Sequence, residues 1–429
     1  VFLFDTIKDE KRGFNMIRAI MLGAGNRGLG TYGMYALKHP GDIQFIAVAD
    51  PDDERRHYFQ EQHKIDPSLA FSDAQEVLKM PKFADAMFIC TQDKMHVDQV
   101  LKALRLGYHV FLEKPMAIKP KDILRIERQQ KMYHRKMVVA HVLRYSPFFL
   151  TIKRLLDEGH IGDIIAVNHV ENVGVIHHSH SYVRGNWRNS QLASPMILAK
   201  SCHDMDILAY LIDSKPLSVA SFGELTHFKK ETKTNVPDYC LDGCPEQDHC
   251  PFYAPKVYLN APDWMRFPVS NDLSDEAILE ALKKGPYGRC VYRSDNDVVD
   301  HQSVTMQFEK GITVNFLMTS FTNEITRTIH IMGTKGELWG EMNDPIIRIK
   351  PFGQNELSVK VDQAEGGHGG GDEGVMKRFI NALKYDWDTT KDVEIAVVGH
   401  LLAFASETSR LEHRIVDYQA FVEEHYGKR

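Results

Sequence analysis

The sequence predicts an α/β fold class, a doubly wound parallel sheet followed by an α+β domain with a large, mainly antiparallel open sheet. Short apolar runs alternate with helical periods from residue 17 to about 141. Strands alternating with helices make a parallel sheet covered on both faces. Beyond residue 160 the order changes, and strand-like runs follow one another with only turns between them. The chain of 429 residues is long enough for two domains with a sizeable core.

In order, IRAIML (17–22) reads as a strand and NRGLGTYGMYALKH (26–39) as a helix. IQFIAVA (43–49) is a strand and DDERRHYFQEQH (52–63) a helix. DAMFIC (85–90) is a strand, with a helix over roughly 95–106. YHVFL (108–112), KPKDILRIERQQKMYH (119–134) and MVVAH (137–141) give strand, helix and strand. After the helix SPFFLTIKRLLDEG (146–159), the segments 163–170, 303–320 and 326–333 read as strands. Glu309-Lys310-Gly311 is predicted to turn a hairpin. The end returns to helices over 372–383 and most of 392–426. No internal repeat is visible, and the one biased segment is GGHGGGDEG (366–374).

Hydrophobic residues make up 43% of the chain and charged residues 26%, as in an ordinary soluble globular protein. A net charge of −6 gives no electrostatic reason to expect nucleic acid or an anionic membrane as partner. No apolar run approaches the roughly 20 residues that span a bilayer. Residues 1–15 lack the pattern of a signal peptide and are read as an N-terminal extension. Six cysteines in a chain of this length do not make a disulfide framework, so a reducing, cytoplasmic setting is expected.

GAGNRG, residues 23–28, lies between the first strand and the first helix. Gly23 permits the tight turn, Gly25 lets the backbone approach a pyrophosphate, and Gly28 lets helix and strand pack closely. Asn26 and Arg27 fall inside the same loop. An acid, Asp50, closes the second strand at the expected distance. That acid suits a ribose 2′-hydroxyl and repels a 2′-phosphate, which favours NAD over NADP, although Arg55 and Arg56 stand close by. The pattern marks a dinucleotide-binding Rossmann domain over 16–142. The expected substrate-binding domain is 143–429, with an irregular insertion at 229–300 and C-terminal helices at 372–429.

FLEKPMA (111–117) makes the reading specific. With GAGNRG, VADP (48–51), CTQDKMH (90–96) and a histidine followed by an HD-x-D pattern, the chain resembles the Gfo/Idh/MocA family from Met16 onward. These are the glucose-fructose oxidoreductase and inositol dehydrogenase relatives. The resemblance implies an NAD(P)-dependent oxidoreductase acting on a small carbohydrate or cyclitol, and a homo-oligomer built through the exposed sheet face. It implies cofactor contacts from Thr91, His96, Glu113 and Lys114, an active-site role for Lys114, and a catalytic role for His203. The family commonly carries an aspartate four residues before this histidine, where this sequence has Ala199, with Lys200 beside it.

Oxidising a secondary alcohol requires a base within hydrogen-bond reach of the hydroxyl. Lys114 and His203 are expected to handle that proton, and Lys200 to bind a substrate hydroxyl and assist Lys114. On one continuous helix, Lys200, His203 and Asp206 would share a face, and Asp204 or Asp206 would hold a histidine nitrogen. The bland alternative makes Lys200 a salt-bridged structural lysine. Further candidates for the substrate pocket are Arg144, and His180, Tyr182, Arg184 and Trp187 in HHSHSYVRGNWR (177–188). Asp297 and His301 before a strand, and His368 in the glycine-rich loop with Asp372 as a helix cap, complete the set.

No catalytic metal is called for; His180, His203, His301 and His368 would have to converge to make one. CLDGCPEQDHC (240–250) places Cys240, Cys244 and Cys250 at a spacing unlike common zinc pairs. With His249 or Cys290 they would complete a structural zinc site, while a disulfide or plain buried thiols carry more weight. Cys90 and Cys202 are read as core residues. The leading function is an NAD-dependent oxidoreductase acting on a secondary hydroxyl of a sugar, glycoside or related polyol. The alternative is an NAD-dependent glycosidase working by transient oxidation and elimination, with no net redox change. A catalytically silent NAD-binding sensor would lack the lysine–histidine pair.

Overall fold

The computed structural model of the protein describes residues 16–362 and 367–426; the expected N-terminal extension lies outside them. Six strands form the first sheet: β1 (Ile17–Leu22), β2 (Ile43–Ala49), β3 (Ala70–Phe71), β4 (Ala86–Ile89), β5 (His109–Leu112) and β6 (Met137–Val139). Their order is β3-β2-β1-β4-β5-β6, and every pair is parallel. β4 is buried at all four positions because helices cover both faces, the pattern of a parallel sheet. The chain reverses its winding direction between β1 and β4. A crevice opens there beyond the carboxyl ends of the strands.

The stretch 26–39 departs from the helix its sequence predicts. Asn26–Gly33 forms a widened π-helical turn, and a short α-helix, Met34–Lys38, follows. Gly28, Gly30 and Gly33 fall within eight residues and weaken a regular start. A Cβ on Gly33 would stand 2.9 Å from the Phe59 ring, so the close packing itself requires glycine there.

The second sheet has nine strands: β7 (Ile164–Asn172), β8 (Pro216–Glu224), β9 (His301–Phe308), β10 (Thr313–Thr319), β11 (Thr326–Gly333), β12 (Gly336–Glu341), β13 (Ile346–Pro351), β14 (Leu357–Lys360) and β15 (Val416–Asp417). Their order is β14-β13-β12-β11-β7-β10-β9-β8-β15. All neighbours are antiparallel except β7 and β10. β9 and β10 join through the predicted hairpin at Glu309–Gly311. Val304, Met306, Phe308, Val314, Phe316 and Met318 point into the core, and the residues between them point outward.

Two late helices tie the sheets together. Val375, Met376, Phe379 and Ile380 of the helix Gly371–Lys384 belong to the core under β1, β4 and β5. The Phe379 ring stands 5.5 Å from both Phe88 and Phe111. The long helix Thr390–Glu412 packs on the helix Cys202–Ile212. A Cβ on Gly399 would lie 2.7 Å from the Asp206 Cα, so glycine sets how closely these helices approach. The insertion 229–300 contains three short helices, Ala254–Tyr258, Asp263–Arg266 and Asp275–Leu282, one small apolar cluster of its own and a second that it shares with Val183 and Phe228. Among the described residues no helix is long and apolar enough to cross a membrane.

Candidate active site

The glycine loop after β1 sits at the crevice. Gly23 has φ +90, and a Cβ there would lie 2.5 Å from the Cys90 carbonyl oxygen. A Cβ on Gly28 would collide with the Gly23 carbonyl, which fixes the close strand–helix approach. Gly25 is different: a Cβ there would meet nothing within 4 Å. Packing inside the protein therefore does not explain that glycine, whereas a phosphate lying against the loop does. Asp50 braces the loop, accepting hydrogen bonds from the Ala24 amide at 2.7 Å and the Asp52 amide at 2.9 Å. Arg55 approaches the same carboxylate at 3.4 Å, and Arg56 donates to the Asp50 carbonyl at 2.7 Å.

Arg27 is committed within the protein. Its guanidinium pairs with Glu113 at 2.7 Å and with Asp372 at 2.8 Å, joining the glycine loop to the strand β5 end and the late helix. Glu113 also accepts from the Lys114 amide at 3.0 Å and from the Tyr32 hydroxyl. Burial alone would raise the Glu113 carboxyl, but Arg27 and Lys114 outweigh it and hold it below the ordinary range. Thr91 donates to Gln99 at 2.6 Å. The His96 ring is within hydrogen-bond distance of the Thr91 carbonyl at 3.0 Å and the Pro115 carbonyl at 2.8 Å, which latches the β4 loop to the Lys-Pro turn.

The Lys114 Nζ donates to the Ala199 carbonyl at 2.9 Å and stands 5.8 Å from the Trp187 ring centroid. The sequence reading missed the buried Asp93 beside it. Burial chiefly raises the Asp93 carboxyl, against His96 and Lys114, and its Oδ2 has no hydrogen-bond partner. Asp93 lies inside CTQDKMH, where nothing in the residue order sets it apart.

The chain breaks where one helix face was expected. Met196–Ala199 is a single turn ended by Lys200, and a new helix begins at Cys202. Lys200 and His203 are therefore not i,i+3 neighbours on one helix. Lys200 Nζ instead lies 3.3 Å from the Glu171 carboxylate on β7. Glu171 also pairs with Arg327, whose Nε donates to Asp204 at 2.8 Å, and His169 Nε2 meets the same carboxylate at 2.9 Å. His169, Glu171, Asp204 and Arg327 of this five-residue network are buried and Lys200 is largely so, and sequence reasoning missed Glu171, His169 and Arg327. Burial is the main force pushing Glu171 up to about 8, with Arg327 opposing. Burial likewise lowers Lys200, against the pull of Glu171. Removing Arg327 would leave two buried carboxyl groups without their shared cation. Arg327→Met is expected to destabilise the protein by about 3–5 kcal/mol. The check is urea unfolding, and an unchanged midpoint would remove the network from the stability argument.

His203 is buried, and its Nδ1 has no hydrogen-bond partner in the protein. Burial, then Lys114, His368 and His141, push its imidazole well below the ordinary range, so it is neutral at neutral pH. Its ring lies 5.6 Å from His368 and 5.7 Å from His141. His368, at φ +53, contacts Asp372 at 3.3 Å. Asp372 sits in the first turn of its helix and serves Arg27 and His368; the cap position is Gly370.

The other candidates separate. Tyr182 is buried and 6.1 Å from Trp187, so both border the Lys114 side of the site. Arg144 is locked to Asp206 through its Nε at 2.6 Å and a second nitrogen, and donates to the Asp392 carbonyl at 3.0 Å. Asp206 thus holds an arginine, and the histidine nitrogen held by Asp204 belongs to His169. Arg184 donates to the carbonyls of Arg289 at 2.7 Å and Phe252 at 2.6 Å, and His180 stacks on Tyr287 at 4.9 Å. Both brace the insertion. Asp297 ties down Ser190 at 2.6 and 2.8 Å, and His301 pairs with Asp300 at 2.9 Å. The four histidines do not form a metal cage. Cys202 is buried, with its thiol pushed up to about 12 by burial.

Residues 17–141 match the sequence model of the oxidoreductase family's NAD-binding Rossmann fold, and residues 153–405 that of its C-terminal alpha/beta domain. A Bacillus subtilis protein named as an oxidoreductase, YteT, is 23% identical over 71% of this chain and 74% of its own length. The scyllo-inositol 2-dehydrogenase (NAD(+)) of Bacillus subtilis is 28% identical over 46% of this chain, and the match spans only 56% of that relative. The fold is also that of an Agrobacterium radiobacter oxidoreductase solved with NAD+, L-tartaric acid and magnesium. Its TM-score is 0.68 at 14% identity, covering 95% of this chain and 99% of the other.

Proposed function

Because the chain belongs to the Gfo/Idh/MocA oxidoreductase family, we propose that it is an NAD-dependent dehydrogenase of a sugar, cyclitol or related polyol. The observation that carries the reading is a buried His203 imidazole that feels the charge of Lys114 and keeps one ring nitrogen unpartnered. Lys114 Nζ is fixed on the Ala199 carbonyl at 2.9 Å, and the neutral, buried His203 keeps Nδ1 free of any protein partner. The open space at Gly25 fits a dinucleotide pyrophosphate, with the loop amides as donors. Bound NAD supplies the two-electron acceptor that alcohol oxidation needs.

In this reading Lys114 and His203 share the hydroxyl proton. His203 is neutral before the reaction and so has a lone pair to take the proton, while the burial and neighbouring cations that keep it neutral also make it a weaker base that readily passes the proton on. Trp187 and Tyr182 shape an apolar wall beside Lys114, suited to the C–H face of a carbohydrate. Lys200 pairs with Glu171 at 3.3 Å, which brings a carboxyl group to the residue that follows Ala199. Asp50 beside the loop favours NAD over a phosphorylated dinucleotide, with Arg55 close enough to soften the preference.

The similar proteins named above are oxidoreductases, which supports net redox chemistry over a redox-neutral glycosidase. A panel of sugars, cyclitols and aryl glycosides with NAD is the test. Net NADH formation with at least one free polyol is expected; release of aglycone without NADH would overturn the proposal.

A further inference from the structure

The insertion 229–300 is joined to the 177–188 wall by a buried cation. Arg184 is 1% exposed, and its hydrogen bonds run to the Arg289 and Phe252 carbonyls and, at 3.6 Å, to the Cys240 sulfur. Its remaining terminal nitrogen has no partner, and among the described residues it forms no ion pair. A guanidinium taken out of water needs a compensating negative charge. None of the described carboxylates supplies it.

Four thiols surround the same spot. Cys240, Cys244, Cys250 and Cys290 line one small, partly open space with room for little more than a single water-sized sphere, about 10 Å³. They come from two separate stretches of chain, 240–250 and the segment around Cys290, that the backbone brings together. The Cys240 amide donates to the Gly288 carbonyl at 2.9 Å and the Cys290 amide to the Asp238 carbonyl at 2.8 Å, so these two cysteines sit on paired segments. A tight turn carries Cys244 and Cys250, with the Cys250 amide on the Glu246 carbonyl at 2.8 Å. The Phe252 and Tyr292 amides, each two residues on, donate to the Cys250 and Cys290 sulfurs. Lys233 and Glu246, paired at 2.6 Å, stand at the rim. All four cysteines are free thiols here.

We propose that these four cysteines form a structural zinc site. Four sulfur ligands around one small cavity match the closed, four-coordinate arrangement of structural zinc. Among the described residues no three ligating side chains already stand at metal-holding spacing, so the thiols close in by side-chain rotation as the ion enters. Binding exchanges four thiol protons, released to solvent, for one Zn2+, and no electron is transferred. The resulting centre carries two negative charges. Arg184, which has no carboxylate partner among the described residues, offsets part of that charge, and the amides on Cys250 and Cys290 hold the thiolates in place. A segment of short helices and small apolar clusters gains a staple that its core does not provide. Through Arg184 the staple also anchors the 177–188 stretch that carries Trp187 to Lys114. The zinc proposal does not depend on which substrate the site oxidises.

The test is metal analysis of the full chain purified without chelator. About one equivalent of zinc is expected, with four of the six cysteines protected from thiol reagents until a chelator is added. Cys244→Ser and Cys290→Ser are each expected to lose the zinc. Should those variants not fold, cobalt substitution of the unaltered protein answers the question. Sulfur-to-cobalt charge transfer with the intense visible bands of a tetrahedral site is expected. Absence of stoichiometric zinc, disulfides between these cysteines, or zinc retained in both serine variants would each overturn the proposal.

Discussion

Lys114→Ala is expected to leave NAD binding intact and to lower turnover by about 10²–10⁴-fold, the usual contribution of a positioned acid–base group. Lys114 does not support the cofactor loop: Glu113 is bound to the Lys114 backbone amide, which alanine retains, and to Arg27. The Nζ donates to the Ala199 carbonyl and faces Trp187, so its loss vacates the reacting end of the crevice, while Arg27 still steadies the buried Glu113 carboxyl and His96 that of Asp93. His203→Gln is expected to cost a similar factor, and the double variant little more, because groups sharing one proton act as a unit. NAD binding by calorimetry and steady-state rates with the best polyol provide the check. A rate near that of the unaltered protein would end the assignment of Lys114 to the chemistry.

The fold was legible where the physics is local. Six-residue apolar runs such as IRAIML, glycines at a strand–helix turn and the Glu309–Gly311 hairpin each carry their own structural cause. Strands β12 to β14 were not legible. GELWGE includes two glycines and IIRIKP ends in proline, so their pairing comes from neighbours in the sheet and not from propensity. The site divides in the same way. GAGNRG and EKP marked the crevice, but polar residues near it could not be sorted into ligands and braces. Arg144, Arg184 and Arg27 each look like substrate or phosphate binders in sequence, and each is instead turned to partners inside the protein from 62 to 345 residues away. Glu171 and Arg327 were invisible for the same reason. Each sits singly on a strand, and only the nine-stranded sheet brings them to Lys200. The helix break at Lys200 and Ser201 was equally hidden, because the apolar spacing of ILAKSCHDMDIL runs straight through it.

Stability is expected to fall steeply as pH drops below about 6.5, the ordinary histidine value. Nine histidines have imidazoles lowered by burial: His63, His109, His141, His177, His178, His180, His203, His368 and His400. His178 lies at about 4 and His400 at about 3, both buried in the protein interior. Between those values and 6.5 the unfolded chain binds protons that the folded protein refuses. Unfolding therefore gains about 1.4 kcal/mol per pH unit for each such group. Their stabilisation is complete above 6.5 and is lost as pH falls toward the folded values. Glu171 acts in the opposite sense. Its carboxyl is raised to about 8, so its stabilisation is present at low pH and fades as pH rises through that value. Asp93 and Asp206 are raised as well, yet three carboxyl groups do not balance nine histidines, and the net slope runs toward acid lability. His400 gives a pointed control, because its Nε2 accepts from the Met116 amide at 2.9 Å and its Nδ1 donates to the Ala396 carbonyl at 2.7 Å. Protonation takes away the first of these bonds, so His400→Gln, which retains an acceptor and cannot charge, is expected to flatten the acid limb. Thermal midpoints from pH 7.5 down to about 4.5 read the effect. A midpoint that stays level across that range would show that the buried histidines do not govern the acid response.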